Sequence, residues 1–200
     1  STLLRTAMGL LSKQGGEVRF DGVEISALSA REIAKKVAYL SQSRNIPAIT
    51  ARRMVLHGRF PYLSYPRRYR SEDYAIVQRA LEQADAADLA ERPVGELSGG
   101  QRQKVYLAMA LAQDTDTVLM DEPTTYMDVR HQLEVMAMAR KLAGQGRAVV
   151  LVLHDLSLAL RTADEVAVLD RGRLQMVGTP EEVFTSGALN SAFGVTVKRV

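Results

Sequence analysis

The sequence contains no cysteine, so it can form neither a disulfide framework nor a thiolate metal site. It also lacks an uninterrupted apolar run long enough to cross a bilayer. Neither sign of charge dominates, because 26 Lys and Arg residues are balanced by 23 Asp and Glu residues. Such a balance does not by itself indicate a nucleic-acid partner. These absences fit a cytoplasmic protein, and 200 residues allow one domain or a core with a small subdomain.

Positive charge is nevertheless concentrated in one part of the chain. The arginines that crowd this region are Arg52, Arg53, Arg59, Arg67, Arg68 and Arg70. Such a cluster is either a solvated basic face or a docking surface for anionic lipid or an acidic partner loop. The sequence leaves both interpretations open.

The most informative stretch is residues 97–128. Its start, Ser98-Gly99-Gly100-Gln101, is small and glycine-rich and opens a predicted helix, where backbone N–H groups and the helix dipole favour an anion. An apolar strand then delivers Asp121 and Glu122 at its C-terminal end, which is the ligand-binding edge of an open α/β sheet. Together the two features suggest nucleoside triphosphate chemistry.

Hydrophobic periodicity and turn signals predict alternating helices and strands. Before residue 46 the predicted elements are an opening helix, a hairpin at Asp21-Gly22, a helix after the capping box Ser29–Glu32, and a strand over Val37–Leu40. After residue 97 they are a helix, a strand to Met120, a helix over His131–Leu142, a strand over Ala148–Leu153, a hairpin around Asp170–Gly172 and a helix from Thr179. The continuous apolar run from Ala148 is typical of a strand covered on both faces.

Residues 46–96 differ in character, because prolines punctuate basic and aromatic residues there and no strand pattern is visible. Ser71 is predicted to cap a helix in this segment. We interpret 46–96 as a helical subdomain that continues into a helix over 98–113. It is inserted in an α/β core of residues 1–45 and 97–200, with a mostly parallel sheet and antiparallel hairpins.

Three predicted strands end in polar residues. Gln42 follows the first, Asp121-Glu122 ends the second and His154 follows the third. Alone, each has an ordinary structural explanation, such as a turn residue, a loop entry or a structural histidine. Their joint occurrence, with Ser98–Gln101 between the first and the second, favours a site for a metal and a nucleotide.

On these residues the chain resembles the nucleotide-binding subunit of an ATP-binding cassette (ABC) transporter, a P-loop NTPase, from Ser1 to about Phe184. Leu97–Gln101 matches the family signature, Val118–Asp121 the Walker B strand and Glu122 the catalytic glutamate. The other matches are Gln42 with the Q-loop glutamine, Thr124–Asp128 with the D-loop, His154 with the switch histidine, and Ser1–Leu4 with the residues after the P-loop lysine.

The resemblance implies that the protein binds ATP and Mg²⁺. Ser1 and Thr2 would contact the nucleotide, and the Ser1 hydroxyl, the Gln42 side-chain oxygen and Asp121 would organise the metal shell. The residues implied to support hydrolysis are Gln42, Glu122 as the general base for the attacking water, and His154 as a donor to the γ-phosphate.

The resemblance also implies a homodimer with two ATP molecules at its interface. The signature would contact the ATP held by the other subunit, through Ser98, the N–H groups of Gly99 and Gly100, and Gln101. Asp128 would cross the same interface. ATP would then join the two subunits, and hydrolysis would release them.

The glycine-rich part of the family's P-loop and its lysine should precede Ser1 and are not in the sequence. We hypothesise that the chain is an N-terminally truncated form of a longer protein. As given, we expect it neither to bind ATP well nor to hydrolyse it.

Three segments resemble importers of ferric siderophores, haem and cobalamin: Gly58–Tyr62, Thr124–Asp128 and Val129–Val135. Neutral variation is the alternative explanation. The importer interpretation implies transmembrane permease subunits, a substrate-binding protein acting through them, and a location on the cytoplasmic face of the membrane. A soluble ABC ATPase acting on DNA or ribosomes, and a degenerate non-catalytic cassette, remain the other hypotheses, and we expect no nucleic-acid partner.

Overall fold

The structure, a computed structural model, describes residues 2–42, 46–125 and 127–198. These residues form two compact units, one ending at Val152 and the other starting at Leu153. Across these three ranges, no helix has the length and apolar character needed to span a membrane.

The first unit begins with a short helix, a hairpin and a second helix. These elements are α1 (Thr2–Ala7), β1 (Arg19–Phe20), β2 (Val23–Glu24) and α2 (Ala30–Lys36). The hairpin turns where predicted, because Asp21 and Gly22 both adopt positive φ. The predicted capping box before α2 is also confirmed, since Ser29 and Glu32 bond to each other's backbone N–H groups.

A parallel sheet forms the centre of this unit. Its strands are β3 (Val37–Leu40), β4 (Thr117–Asp121) and β5 (Ala148–Val152), in the order β3-β4-β5. Leu40 lies beside Met120, and Asp121 lies beside Val152. The C-terminal ends of the three strands therefore meet at one edge of the sheet, as the sequence predicts.

Helices account for most of the chain between β3 and β4. They are α3 (Ala51–Leu56), a 3-10 helix (His57–Tyr62), α4 (Ser71–Gln83), short 3-10 turns at Ala87–Leu89 and Val94–Glu96, and α5 (Gly99–Ala112). One apolar core joins these helices to the sheet, because Val77 of α4, Val105 of α5 and Val118 of β4 are all fully buried in it. The boundaries of the helical subdomain stay a prediction.

The start of α4 differs from the prediction. The helix begins at Ser71, but Ser71 is its first helical residue rather than its cap. The cap is Arg70, whose backbone N–H donates to the Asp73 carboxylate at 2.9 Å. An acidic residue at the third helical position thus accepts from the N–H of the cap residue.

The first unit ends with α6 (Val129–Gly144) and β5. The prediction that β5 is covered on both faces is wrong, because Val150 is 45% exposed. Among the described residues β5 pairs only with β4 and so forms the edge of the sheet. Apolar content alone did not distinguish an edge strand from a central one.

The second unit has its own small core. Its elements are α7 (Leu156–Thr162), β6 (Val166–Asp170), β7 (Arg173–Gly178), α8 (Pro180–Thr185) and α9 (Ala188–Phe193). The strands form the predicted antiparallel hairpin, and Thr179 caps α8 as predicted. Val168, Val183 and Leu189 are the buried residues at the centre of this core.

Gly58 lies where the 3-10 helix approaches α5 most closely. A Cβ atom at this position would come within 2.3 Å of the Met109 carbonyl oxygen, which belongs to the backbone of α5. Only glycine therefore permits this approach without a shift of one element.

We predict that Gly58→Ala lowers the free energy of unfolding by about 1–3 kcal/mol, because the added methyl group overpacks the contact with α5. The matched control is Gly144→Ala near the end of α6, where a Cβ would meet nothing within 4 Å. This control should be neutral or slightly stabilising, because alanine has the higher helix propensity. Urea unfolding of the two variants is the measurement, and equal stabilities would contradict the prediction.

Candidate functional site

The carboxyl edge of the sheet brings two of the predicted site residues into direct contact. The Gln42 side-chain amide donates to the Glu122 carboxylate, with Nε2 and Oε2 2.6 Å apart. The Thr125 hydroxyl donates to the same carboxylate oxygen at 3.1 Å. Glu122 is therefore held between the end of β3 and the loop that follows β4.

Asp121 lies beside this pair but is far more enclosed. Only 2% of the residue is exposed, and its carboxylate accepts a hydrogen bond from the Tyr39 hydroxyl at 3.1 Å. Tyr39 comes from β3, so the neighbouring strand holds this carboxylate in a defined orientation. Neither Tyr39 nor Thr125 was among the predicted site residues, although Thr125 lies within the D-loop match.

The backbone turns sharply at Glu122. This residue has φ of +50°, in the left-handed region that costs a residue with a side chain about 1–2 kcal/mol. Its N–H still donates to the Val152 carbonyl of β5 at 3.1 Å. The backbone pairing with β5 therefore extends to Glu122, and the chain leaves the sheet there in a strained conformation. Such strain occurs preferentially at functional sites.

His154 belongs to the second unit and is described within it. It is exposed and comes directly before Asp155, whose carboxylate accepts from the Leu158 N–H at 3.0 Å and caps α7. The predicted position after a strand is confirmed, since β5 ends at Val152. The role of His154 toward a γ-phosphate stays a prediction.

The signature residues form the exposed start of α5. Ser98 is the N-cap, and its hydroxyl accepts from the Gln101 N–H at 3.3 Å, while the Gln101 side chain accepts from the Ser98 N–H at 3.2 Å. Ser98 and Gly99 are exposed, and Gly100 is partly buried. This helix start therefore presents its backbone to the outside, which suits a phosphate.

Asp128 caps α6 and contacts His131. On sequence alone, His131 was expected only to begin a helix and to belong to the segment Val129–Val135. The Asp128 Oδ1 atom accepts from the backbone N–H of His131 at 3.0 Å and lies 2.8 Å from the imidazole Nδ1. These two contacts with His131 lower the pKa of Asp128. The imidazole also packs against Gly100, where a Cβ would lie 2.9 Å from the ring.

Two of the predicted nucleotide contacts lie near the beginning of the chain. Ser1 falls outside the described residues, as does Tyr126 of the D-loop match. Thr2 is the first residue of α1 and is exposed. The predicted contacts of Ser1 and Thr2 with ATP stay predictions.

The end of α5 opposite the signature is anchored by the Gly58–Tyr62 segment. The Arg59 guanidinium donates to the Ala112 carbonyl at 3.1 Å and to the buried Asp73 carboxylate at 3.0 Å. The Tyr62 hydroxyl donates to the Gln113 carbonyl at 2.9 Å. Positive charge and donors at a helix C-terminus satisfy its last carbonyls. Both ends of the signature helix are therefore fixed by side-chain contacts.

A parallel sheet with two carboxylates at its C-terminal edge, together with a glycine-rich helix start, is typical of an α/β nucleotide-binding protein. The ABC transporter family profile matches residues 1–125, and the chain belongs to this family. The predicted family and fold class are thereby confirmed.

Relatives of known name cover nearly all of the chain. It is 41% identical over 197 residues to the probable siderophore transport system ATP-binding protein of Bacillus subtilis, covering 98% of this chain and 72% of the relative. It is 41% identical over 202 residues to the iron(3+)-hydroxamate import ATP-binding protein of the same organism, covering 100% and 75%. The dimeric structure of a bacterial ABC transporter cassette matches with a TM-score of 0.77 at 26% identity, covering 90% of this chain and 79% of that one.

The buried pair Arg59–Asp73 predicts a pH-dependent contribution to stability. Burial raises the pKa of Asp73, but the Arg70 N–H and the Arg59 guanidinium outweigh burial and hold it below the ordinary value of 3.8. A lowered folded-state pKa stabilises the fold above the ordinary value, and this contribution is lost as the pH falls through the folded-state pKa.

We therefore predict that Asp73→Asn lowers the free energy of unfolding by about 3 kcal/mol near neutral pH, because it leaves Arg59 buried without its counterion. The difference from the wild type should shrink as the pH falls below 3.8 and through the lower folded-state pKa, where the wild-type carboxylate also becomes neutral. Asp88→Asn, at an exposed aspartate, is the control and should stay within about 0.5 kcal/mol. A pH-independent difference in urea unfolding would contradict this account.

Proposed function

We propose that this chain is the ATP-binding and hydrolysing subunit of an ABC importer for an iron-siderophore, haem or cobalamin-type substrate. It would work at the cytoplasmic face of the membrane, with permease subunits and, through them, a substrate-binding protein. The observation that carries the proposal is the contact of Gln42 with Glu122 beside the buried Asp121. The names of the relatives support the importer class and the siderophore substrate.

The oxygen donors at the sheet edge fit Mg²⁺ with ATP. Magnesium takes one or two carboxylates and completes its shell with water and phosphate oxygens. The Tyr39 hydroxyl orients the Asp121 carboxylate, and the Gln42 side-chain nitrogen donates to the Glu122 carboxylate. In the proposal, the metal is held by Asp121, Gln42 and Ser1. When bound, it would neutralise negative charge on the phosphates.

Glu122 would act as the general base in hydrolysis. A general base needs a fixed carboxylate within reach of the attacking water. The hydrogen bonds from Gln42 and Thr125 restrict Glu122 to one side of the sheet edge. His154 would donate to the γ-phosphate, and Thr2 would contact the nucleotide from the start of α1.

The second half of the site would serve a partner subunit. Ser98, Gly99, Gly100 and Gln101 form an exposed helix start that fits the γ-phosphate of an ATP held by a second copy. Asp128 would cross the same interface, and its 65% side-chain exposure leaves it accessible. The proposal is therefore a homodimer with ATP at the interface, for which the similar dimeric cassette structure provides support.

The permease would dock near the basic segment, which is the stretch 52–70 that contains the arginine cluster. A groove of about 580 Å³ runs between this segment and α4. Arg68 and Arg70 line it and are exposed, and Tyr65 on its rim is 97% exposed. An acidic, partly apolar loop of a membrane subunit would complement the exposed guanidinium groups of Arg68 and Arg70.

We predict that Glu122→Gln reduces phosphate release by about a hundredfold or more, because the amide cannot accept a proton from water. The assay uses the protein with a complete P-loop ahead of Ser1. ATP-dependent dimerisation should persist, since the signature and the metal residues are intact. The control is Glu96→Gln, at an exposed glutamate, which should turn over normally.

Two outcomes would contradict this part of the proposal. Wild-type turnover by Glu122→Gln would remove Glu122 from its role. Absence of turnover by the unmutated protein with its complete P-loop would favour a non-catalytic cassette.

We also predict that reversing the charge at Arg67, Arg68 and Arg70 weakens co-purification with the permease, while basal ATP hydrolysis stays unchanged. The three side chains are exposed. The matched control reverses Arg171 and Arg173 in the β6–β7 hairpin, which are also exposed. Equal permease recovery for both sets of variants would exclude this docking surface.

A further inference from the structure

His131 occupies the contact between two segments that the proposed function assigns to the dimer interface. Its imidazole Nδ1 lies 2.8 Å from Oδ1 of Asp128, and its opposite edge lies against Gly100. A single ring therefore connects the cap of α6 with the first turn of α5. Both segments belong to the same chain.

The contact with Gly100 is tight enough to transmit movement. A Cβ atom at Gly100 would lie 2.9 Å from Cδ2 and 3.0 Å from Nε2 of His131, closer than side-chain atoms normally approach. The ring thus fills the space that a side chain at Gly100 would need. A displacement of the first turn of α5 toward the ring would therefore move His131, because packed groups do not overlap.

The contact with Asp128 fixes the ring from the other side. Hydrogen bonding to His131 holds the pKa of Asp128 below its ordinary value, so this group is a carboxylate at neutral pH and can only accept. Nδ1 of His131 must therefore carry the proton. The backbone N–H of His131 donates to the same oxygen, so Asp128 and His131 behave as one unit.

Other charged groups near His131 are engaged elsewhere. Glu134, one turn further along α6, pairs with Lys104 of α5 at 3.2 Å and with Arg130 at 3.2 Å. Lys104 also pairs with Asp85 at 2.7 Å. The Lys104–Glu134 pair is a second link between α5 and α6, but it does not contact Asp128 or the signature residues.

We infer that His131 is a positioning residue that sets Asp128 relative to the signature helix, so that engagement of a partner's ATP by Gly100 and placement of Asp128 occur together. This inference rests on the proposed function, because it assigns both segments to the ATP-bound dimer interface. His131 is not among the residues that the proposed function assigns to the site. The inference also predicts that loss of the His131 contact lowers activity, whereas loss of the Lys104–Glu134 pair does not.

The test compares three substitutions of His131 in the protein with a complete P-loop. His131→Phe keeps a ring but loses the donor, and His131→Ala loses both. His131→Asn retains a donor at the position of Nδ1. We expect Phe and Ala to lower kcat and ATP-dependent dimerisation about fivefold, with KM for ATP unchanged. Asn, which keeps the donor on Asp128 but not the ring against Gly100, should restore part of the loss.

Glu134→Gln is the matched control, because it weakens the other link between the same two helices. Its kcat and dimerisation should stay close to those of the wild type. Wild-type behaviour of His131→Phe would overturn the inference. Equal losses for His131→Phe and Glu134→Gln, without recovery by Asn, would also overturn it and assign His131 to general packing.

Failure of the proposed function would look different. An unmutated protein that neither dimerises with ATP nor hydrolyses it would refute the proposed function, and this inference with it. A working wild type whose His131 variants are unaffected would refute the inference alone. Urea unfolding of each variant identifies any loss that is due to global destabilisation.

Discussion

The parallel pairing of β3, β4 and β5 is the constraint on which the candidate site depends. Parallel strands end at the same edge of a sheet, so residues far apart in the chain are delivered to one place. Gln42 and Glu122 are separated by 80 positions, yet their side chains form a hydrogen bond there. The register Leu40–Met120 and Asp121–Val152 sets this contact. A slip of one residue would turn Asp121 to the other face and break the cluster.

The signature helix is the second element that the structure fixes in place. Arg59 and Tyr62 bind its last carbonyls, and His131 packs against its first turn. The Gln113 side chain, just past its end, donates to the Ala34 and Val37 carbonyls at 2.6 and 2.9 Å. Both ends of α5 are therefore held by contacts with other elements.

Local signals were sufficient for much of this fold. The hairpin at Asp21-Gly22 and the caps Ser29 and Thr179 were predicted because each depends on residues within one turn. The cap of α4 was predicted one residue too late, because Asp73 accepts from the Arg70 N–H and Ser71 is already helical. The coverage of β5 was predicted wrongly, because burial depends on neighbours in space. The Tyr39–Asp121 bond joins residues 82 positions apart, and periodicity carries no information about such a pair. The same limit applies to His131 and Gly100.

The left-handed backbone at Glu122 has a consequence for how this chain can change. Glycine would adopt φ of +50° without the steric cost that a glutamate carries there. Glycine, which would have the least backbone strain at this position, thus has no carboxylate to contribute to the sheet edge. An unstrained backbone would therefore favour glycine at this position, whereas the hydrogen bonds from Gln42 and Thr125 require the glutamate side chain.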